Sequence, residues 1–107
     1  MATITEIAPD VYRITAYNSQ ADFEFSSFLV KDDEPVLYHT NLRGFFADIR
    51  DGVATVLDPA TIRWVGFSHF ESDECGSLNE WLELAPHATA ICSFVGARTS
   101  VGDFAIR

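Results

Sequence analysis

The pattern of apolar residues changes once along this chain, at Asn41, and that change limits the possible folds. Before Asn41, short runs between turn signals are typical of antiparallel strands, at residues 3–7, 11–17, 25–31 and 35–40. After Asn41, segments with helical spacing alternate with short apolar runs. Because parallel strands need helical connections that cover the sheet, the sequence predicts a layered α+β domain with parallel strands in its later part.

Local signals define the elements after Asn41. One apolar face at helical spacing predicts a helix with Asn41 as N-cap that ends before Pro59. Ser77 and Glu80 have the spacing of a capping box at the start of a second helix. This second helix ends at Pro86. The remaining predicted elements are a buried strand at 62–67, a polar loop at 68–76, a buried strand at 88–92, and a weaker helix or a loop at 94–101.

Composition narrows the class of protein. The 107 residues fit one domain, residues 1–107, and 48% hydrophobic positions exclude a disordered chain. Seven basic residues against 16 acidic ones give a net charge of -9, which argues against nucleic acid or an anionic membrane as partner and favours cations. The first residues have neither the basic start nor the apolar core of a signal peptide. Two cysteines are too few for a disulfide scaffold, so we expect reduced thiols in a cytoplasmic protein.

The segment 68–76 carries the chemistry. Within six residues it holds one imidazole and three carboxylates, His69, Glu71, Asp73 and Glu74, directly after a predicted buried strand, where ligand sites form in α/β sheets. Alternate residues of an extended loop point the same way, so His69, Glu71 and Asp73 are expected to converge. Crowded carboxylates repel one another unless a cation lies between them, and mixed nitrogen and oxygen ligands suit iron, zinc or manganese. The alternative is a solvated acidic loop stabilised by the dipole of the following helix.

The order strand, His-x-Glu-x-Asp-x-x-Gly-x-Leu, helix resembles the metallo-β-lactamase fold. It is most similar to the branch with a non-haem di-iron centre, the flavodiiron and oxygen-binding di-iron proteins, in which the hydrolase motif His-x-His-x-Asp-His becomes His-x-Glu-x-Asp-His. The matching residues are His69, Glu71, Asp73, Gly76 and Leu78. The resemblance extends over nearly the whole chain and covers the first half of a family domain. It implies the first half of an αββα sandwich, a partial domain.

The resemblance also implies a ligand set. His69 and Glu71 would hold one iron, and Asp73 and Glu74 the other. Glu74 stands where the family has a histidine, and the family's downstream ligands, two histidines and a bridging aspartate, have no counterpart in these 107 residues. No catalytic residue is assigned.

Two further histidines and two cysteines need interpretation. His39 follows the predicted hairpin where the family has an aspartate, so it is a partner of a ligand, a substitute ligand, or a half-exposed histidine at a strand end. His87 is expected on the surface. Cys75 is interpreted as a small packing residue at the start of the helix, and Cys92 as a core residue.

Three functions remain open from the sequence. The first is a di-iron, oxygen-binding protein of the oxidoreductase type that takes electrons from a partner carrying flavin. The second is a metal-dependent hydrolase of the same fold, and the third a catalytically silent module. A single sheet covered on one side also predicts an apolar surface around Phe25, Phe28, Trp64 and Phe67. We therefore expect a homo-oligomer, or a second polypeptide on that surface.

Overall fold

Six strands form one mixed sheet in which the spatial order follows the chain order. The computed structural model describes residues 2–20 and 22–106. Its strands are β1 (Thr3–Ala8), β2 (Val11–Asn18), β3 (Phe23–Val30), β4 (Val36–Tyr38), β5 (Trp64–Gly66) and β6 (Thr89–Ile91). The first four strands pair antiparallel, whereas β5 pairs parallel to β4 and β6 parallel to β5. The predicted order of antiparallel and then parallel strands is confirmed.

Short helices connect the later strands. They are α1 (Phe46–Ala54), α2 (Ser72–Cys75) and α3 (Leu78–Leu84), with 3₁₀ turns at Arg43–Phe45 and Pro59–Thr61. The chain then continues as α4 (Phe94–Gly96), a π-helical turn (Ala97–Val101) and α5 (Gly102–Phe104), so the weaker helix or loop predicted at 94–101 is helical. None of the helices within residues 2–20 and 22–106 is long and apolar enough to span a bilayer.

The hydrophobic core lies between one face of the sheet and the helices. Trp81 of α3 is fully buried, and its ring meets that of Phe46 edge to face with centroids 5.4 Å apart. The cluster around it contains Ile14, Leu29, Leu37 and Val65 from the sheet, and Ile49, Val53, Leu78 and Leu82 from α1 and α3. Each large side chain contributes about 1.5–3 kcal/mol when fully buried. This face therefore supplies most of the free energy that holds the helices to the sheet.

The opposite face, which we call the open face, carries the alternate residues of the same strands. Register places Val11, Val30, Val36 and Trp64 in one row across it, and Arg13, Phe28, Tyr38, Gly66 and Ile91 in the next. Apart from Gly66, which Tyr38 and Ile91 cover, these residues are half-buried or exposed. The open face thus presents aromatic and branched apolar side chains outside the core.

Two of the four aromatic residues expected on that surface lie on the other side of the sheet. Phe67 is 4% exposed in the core, and Phe25 is paired with the buried Ala16 and contacts the Phe45 ring. Because side chains alternate with a period of two, Phe25 and Phe28 of one strand must point to opposite faces. The expectation was wrong for Phe25 and Phe67 and is confirmed for the placement of Phe28 and Trp64.

Neither predicted helix cap forms. Asn41 has a left-handed backbone (φ 65°) and donates from Nδ2 to Ser27 Oγ at 2.6 Å, while α1 begins later, after the 3₁₀ turn. Ser77 does precede α3, but its hydroxyl donates to the carbonyls of Asn41 and Leu42 instead of capping the helix. The Asn41 side chain thus joins the segment after β4 to β3, and the Ser77 side chain joins the same segment to the start of α3. Tertiary hydrogen bonds therefore replace the local capping that the sequence predicts.

Candidate metal centre

The site lies where the chain leaves the carboxyl ends of β4 and β5. Tyr38 and Gly66 are paired in the parallel register, so the residues that follow them emerge side by side. The backbone N–H of His39 donates to the carbonyl of Gly66 at 2.8 Å, and His39 Nε2 lies 3.3 Å from Ser68 Oγ. The segment 68–76 follows β5 at this edge, which is where ligand sites form in α/β sheets.

Three of the predicted ligands come together. One potential ligand atom from each of His69, Glu71 and Glu74 lies within 4.8 Å of the other two. His69 and Glu71 are exposed, whereas Glu74 is buried. One imidazole nitrogen and two carboxylate oxygens suit a first-row metal ion such as iron, manganese or zinc, and the exposed side leaves room for water. The donor set therefore fits the metal that the sequence predicts.

Helix α2 decides which carboxylates converge. The predicted loop is not extended throughout, because the N–H groups of Glu74 and Cys75 both donate to the Glu71 carbonyl at 2.9 Å. This turn places Glu74, three residues after Glu71, on the same side as Glu71. Asp73 is exposed in the first turn of α2 and lies outside the cluster. The local period is helical, so the alternation expected for His69, Glu71 and Asp73 does not apply.

The Glu74 carboxylate is held by several partners. Its Oε1 accepts from the Ser68 hydroxyl and from the His69 N–H at 3.1 Å, and it lies 2.9 Å from His39 Nε2. Oε2 lies 3.6 Å from His69 Nδ1. Burial raises the pKa of Glu74, but the two hydrogen bonds and the neighbouring histidines outweigh it and hold the pKa below its ordinary value. Glu74 is therefore a buried carboxylate held in its charged form.

His39 contacts Glu74 and is more than a half-exposed histidine at a strand end. Its side chain is 23% exposed, and its ring stacks on that of Tyr38 with centroids 4.4 Å apart. The signal in the sequence was its position directly after β4, because β4 and β5 end together in a parallel pair. The positions of residues 39 and 74 in the sequence gave no indication by themselves that the two side chains would be in contact.

A buried polar junction supports both sides of the site. The Thr40 N–H donates to the Glu74 carbonyl at 2.8 Å, and the Ser77 N–H donates to the Asn41 carbonyl at 3.2 Å. Thr40, Asn41 and Ser77 are fully buried. The segment after β4 is thus fixed against α2 and the start of α3.

The other residues considered from the sequence lie around this site. Cys75, the last residue of α2, is buried and donates from Sγ to the Glu71 carbonyl, as expected for a packing residue, and burial raises the pKa of its thiol. Cys92 is half-buried and packs against the core. His87 is exposed between α3 and β6, as predicted. Cys75 and Cys92 are both free thiols.

Comparison with curated proteins identifies relatives of this chain. It is 31% identical over 87 residues to the flavo-diiron protein FprA2 of Clostridium acetobutylicum, a match that covers 81% of this chain and 21% of that protein. It is 28% identical over 79 residues to the anaerobic nitric oxide reductase flavorubredoxin of Aeromonas hydrophila, covering 74% of this chain and 16% of that protein. The homologues of this chain are flavodiiron proteins. No protein-family model matches the chain.

Solved structures give the fold. The rubredoxin oxygen:oxidoreductase of Desulfovibrio gigas superposes with a TM-score of 0.85 at 22% identity, over 95% of this chain and 28% of that one. A metallo-β-lactamase of Cronobacter sakazakii superposes with a TM-score of 0.76 at 23% identity, over 90% of this chain and 36% of that one. The chain has the metallo-β-lactamase-like α+β fold, and it matches the N-terminal part of its flavodiiron homologues. It spans about a fifth of the length of the curated relatives it matches.

Proposed function

We propose that this chain is the metal-binding first half of a flavodiiron-type domain and that iron is its metal. The observation that carries the proposal is the convergence of His69, Glu71 and Glu74 at the end of β5 in a chain homologous to flavodiiron proteins. Bound iron would supply reversible redox chemistry toward dioxygen or nitric oxide. Asp73, exposed beside the cluster, is the remaining ligand that the family resemblance implies.

The protein's own residues would hold the metal and leave part of its coordination open. His69 and Glu71, which are exposed, would hold the ion from the solvent side, and Glu74, which is buried, would hold it from the other side. Three protein ligands leave positions for water, so affinity is expected to be lower than at a closed structural site. These residues are part of the larger ligand set that the family resemblance implies. A further chain or segment would have to complete a two-metal centre.

The redox role requires a partner. The names of the curated relatives, flavo-diiron protein and flavorubredoxin, support a second protein or domain that carries flavin and delivers electrons. In the isolated chain, we expect a second copy to cover the open face, because Phe28, Tyr38 and Trp64 lie there outside the core. The free thiols of Cys75 and Cys92 support our expectation of a cytoplasmic protein.

Metal titration tests the proposal. Metal-free chain is titrated with Fe²⁺ under anaerobic conditions, and separately with Mn²⁺ and Zn²⁺, in a calorimeter at fixed pH. Wild type is expected to bind, and His69→Ala and Glu71→Gln to lose at least about tenfold in affinity, since each removes a ligand. His87→Ala and Glu83→Gln are matched controls that remove an exposed histidine and an exposed carboxylate elsewhere.

Two results would count against it. Equal affinity in wild type, His69→Ala and Glu71→Gln would mean that the cluster does not hold the metal. A folded wild-type chain that binds none of the three ions would favour the silent module. Tighter binding of Zn²⁺ than of Fe²⁺, with hydrolysis of an activated ester that depends on Glu71, would favour the hydrolase instead.

A further inference from the structure

We propose that His39 is a positioning residue that fixes Glu74, so that Oε1 stays bound to the protein and Oε2 is the oxygen offered to a metal. The inference rests on the proposed metal site and adds a residue that contributes no atom to the cluster of His69, Glu71 and Glu74. It also gives the two oxygens of one carboxylate different roles.

The contacts of Oε1 are the first support. Oε1 accepts from the Ser68 hydroxyl and from the His69 N–H at 3.1 Å, and His39 Nε2 lies 2.9 Å away. A carboxylate oxygen has about two lone-pair sites, so the two hydrogen bonds from Ser68 and His69 already occupy those of Oε1. Oε2 is turned toward His69, with 3.6 Å to Nδ1 of the imidazole that is itself a proposed ligand. A metal between His69 and Glu74 would meet Oε2.

The way in which His39 itself is held is the second support. Its backbone is left-handed (φ 66°), which is uncommon for a residue other than glycine. Its N–H donates to the Gly66 carbonyl, and the next N–H, that of Thr40, donates to the Glu74 carbonyl, both at 2.8 Å. Its ring stacks on Tyr38. Backbone and ring are thus fixed on both sides, and Nε2 is directed at Glu74.

Both contacts of the His39 ring nitrogen lead to Glu74. Nε2 lies 2.9 Å from Glu74 Oε1 and 3.3 Å from Ser68 Oγ, and the Ser68 hydroxyl donates to the same Oε1. His39 therefore acts on the site through Glu74. Without the His39 ring, Glu74 keeps two of its three Oε1 partners and gains freedom to rotate. The loss should lower metal affinity by about 10–100-fold, as for other residues that orient ligands.

The experiment compares three variants with wild type, using Co²⁺ alone as the probe. His39→Gly removes the ring at a position where glycine relieves the left-handed backbone, and His39→Gln restores an N–H donor at a similar distance from the chain. His87→Gly removes an exposed histidine elsewhere. Affinity is measured by calorimetry, and coordination by the visible absorption of bound Co²⁺. The amide signal of His69 is followed by NMR in metal-free protein.

We expect His39→Gly to bind Co²⁺ about 10–100-fold more weakly, with altered absorption bands, and His39→Gln to recover part of both. In metal-free His39→Gly, the His69 amide should shift and exchange faster, because its acceptor, Glu74 Oε1, loses its third partner. His87→Gly should match wild type in each measurement.

The outcomes separate the two proposals. A His69 amide that neither shifts nor exchanges faster in His39→Gly overturns the positioning role, even if wild type binds Co²⁺ well. If the His69 amide shifts in His39→Gly but wild type binds no Co²⁺, the result supports the positioning of Glu74 by His39. The same result counts against the proposed metal function. Equal Co²⁺ affinity and spectra in wild type and His39→Gly overturn the inference while leaving the metal site in place.

Discussion

Phe70 and Phe104 meet edge to face, with ring centroids 5.3 Å apart. Phe70 lies between the proposed ligands His69 and Glu71, and Phe104 ends the last helical segment. Asn79 of α3 fixes the same end of the chain, since its side chain donates to the Phe104 carbonyl and accepts from the Ile106 N–H. The C-terminal segment therefore supports the loop that carries two of the proposed ligands.

Phe104→Ala should destabilise the protein and loosen that loop. An aromatic pair contributes about 0.5–1.5 kcal/mol beyond the area it buries, and a loss of 1 kcal/mol lowers Tm by about 4–8 °C in a domain of this size. Differential scanning calorimetry measures the Tm, and hydrogen exchange of the Glu71 amide measures how readily the loop opens, which should be faster in Phe104→Ala.

The control for Phe104→Ala is Phe94→Ala, which removes a ring that is 76% exposed and should change stability by less than about 0.5 kcal/mol. Equal exchange at the Glu71 amide in wild type and Phe104→Ala would show that the C-terminal segment does not support the loop.

The two cysteines should differ in reactivity. Cys75, at the end of α2, is buried, and this burial raises the pKa of its thiol, whereas Cys92 is half-buried. Because the thiolate is the reactive form, iodoacetamide at pH 8 should modify Cys92 faster than Cys75. Peptide mass spectrometry over a time course measures both rates in one sample, and Cys92→Ser shows the rate of Cys75 alone. Faster modification of Cys75 would mean that α2 opens readily.

Sequence periodicity predicted the sheet well and the site only in part. The change of pattern at Asn41 gave the order of strands and helices, because hydrophobic period follows directly from burial on one face. It could not show that the side chains of Asn41 and Ser77 would bond to Ser27 and to the Asn41 carbonyl instead of capping helices, since these partners are 14 and 36 residues away in sequence. The same holds for His39, which reaches Glu74 only once β4 and β5 are paired. Asp73 was expected with Glu71 because the short helix α2 was not recognised in an acidic loop.

The open face should drive self-association of the isolated chain. Phe28, Tyr38 and Trp64 are half-buried there, and each side chain gains up to about 1.5–3 kcal/mol when fully covered. Sedimentation over a concentration series is expected to show association that increases with salt, because salt screens the repulsion between copies of charge -9. Phe28→Glu should shift the equilibrium toward monomer.

The matched control for Phe28→Glu is Phe23→Glu, which introduces the same charge on the same strand at an exposed position. Its side chain points to the other face of the sheet, because side chains alternate along a strand. Its association should equal that of wild type. A wild-type chain that stays monomeric at every concentration and binds no hydrophobic dye would contradict the expectation of an exposed apolar surface.

Acid should remove the stabilisation that Glu74 provides. Burial raises the pKa of Glu74, but the hydrogen bonds from Ser68 and His69 and the two neighbouring histidines hold the folded-state pKa below its ordinary value of about 4.5, so folding favours the charged form. That contribution is present above about pH 4.5 and is lost as the pH falls through the lower, folded-state pKa. Metal-free wild type and Glu74→Gln are compared by urea denaturation in the presence of EDTA. Above about pH 4.5, the free energy of unfolding of wild type should exceed that of Glu74→Gln by about 1–3 kcal/mol. This is the usual contribution of hydrogen bonds to a buried charged group.

The difference between wild type and Glu74→Gln is then followed from about pH 5.5 to about pH 3, where linkage predicts that it shrinks. Glu83→Gln, which removes an exposed carboxylate of α3, corrects for the change in net charge. A difference that stays constant to about pH 3 would mean that the Glu74 charge is not what Ser68, His39 and the His69 N–H stabilise. A difference that shrinks as expected would show that these groups hold a carboxylate, and that it is charged at the neutral pH at which a metal would bind.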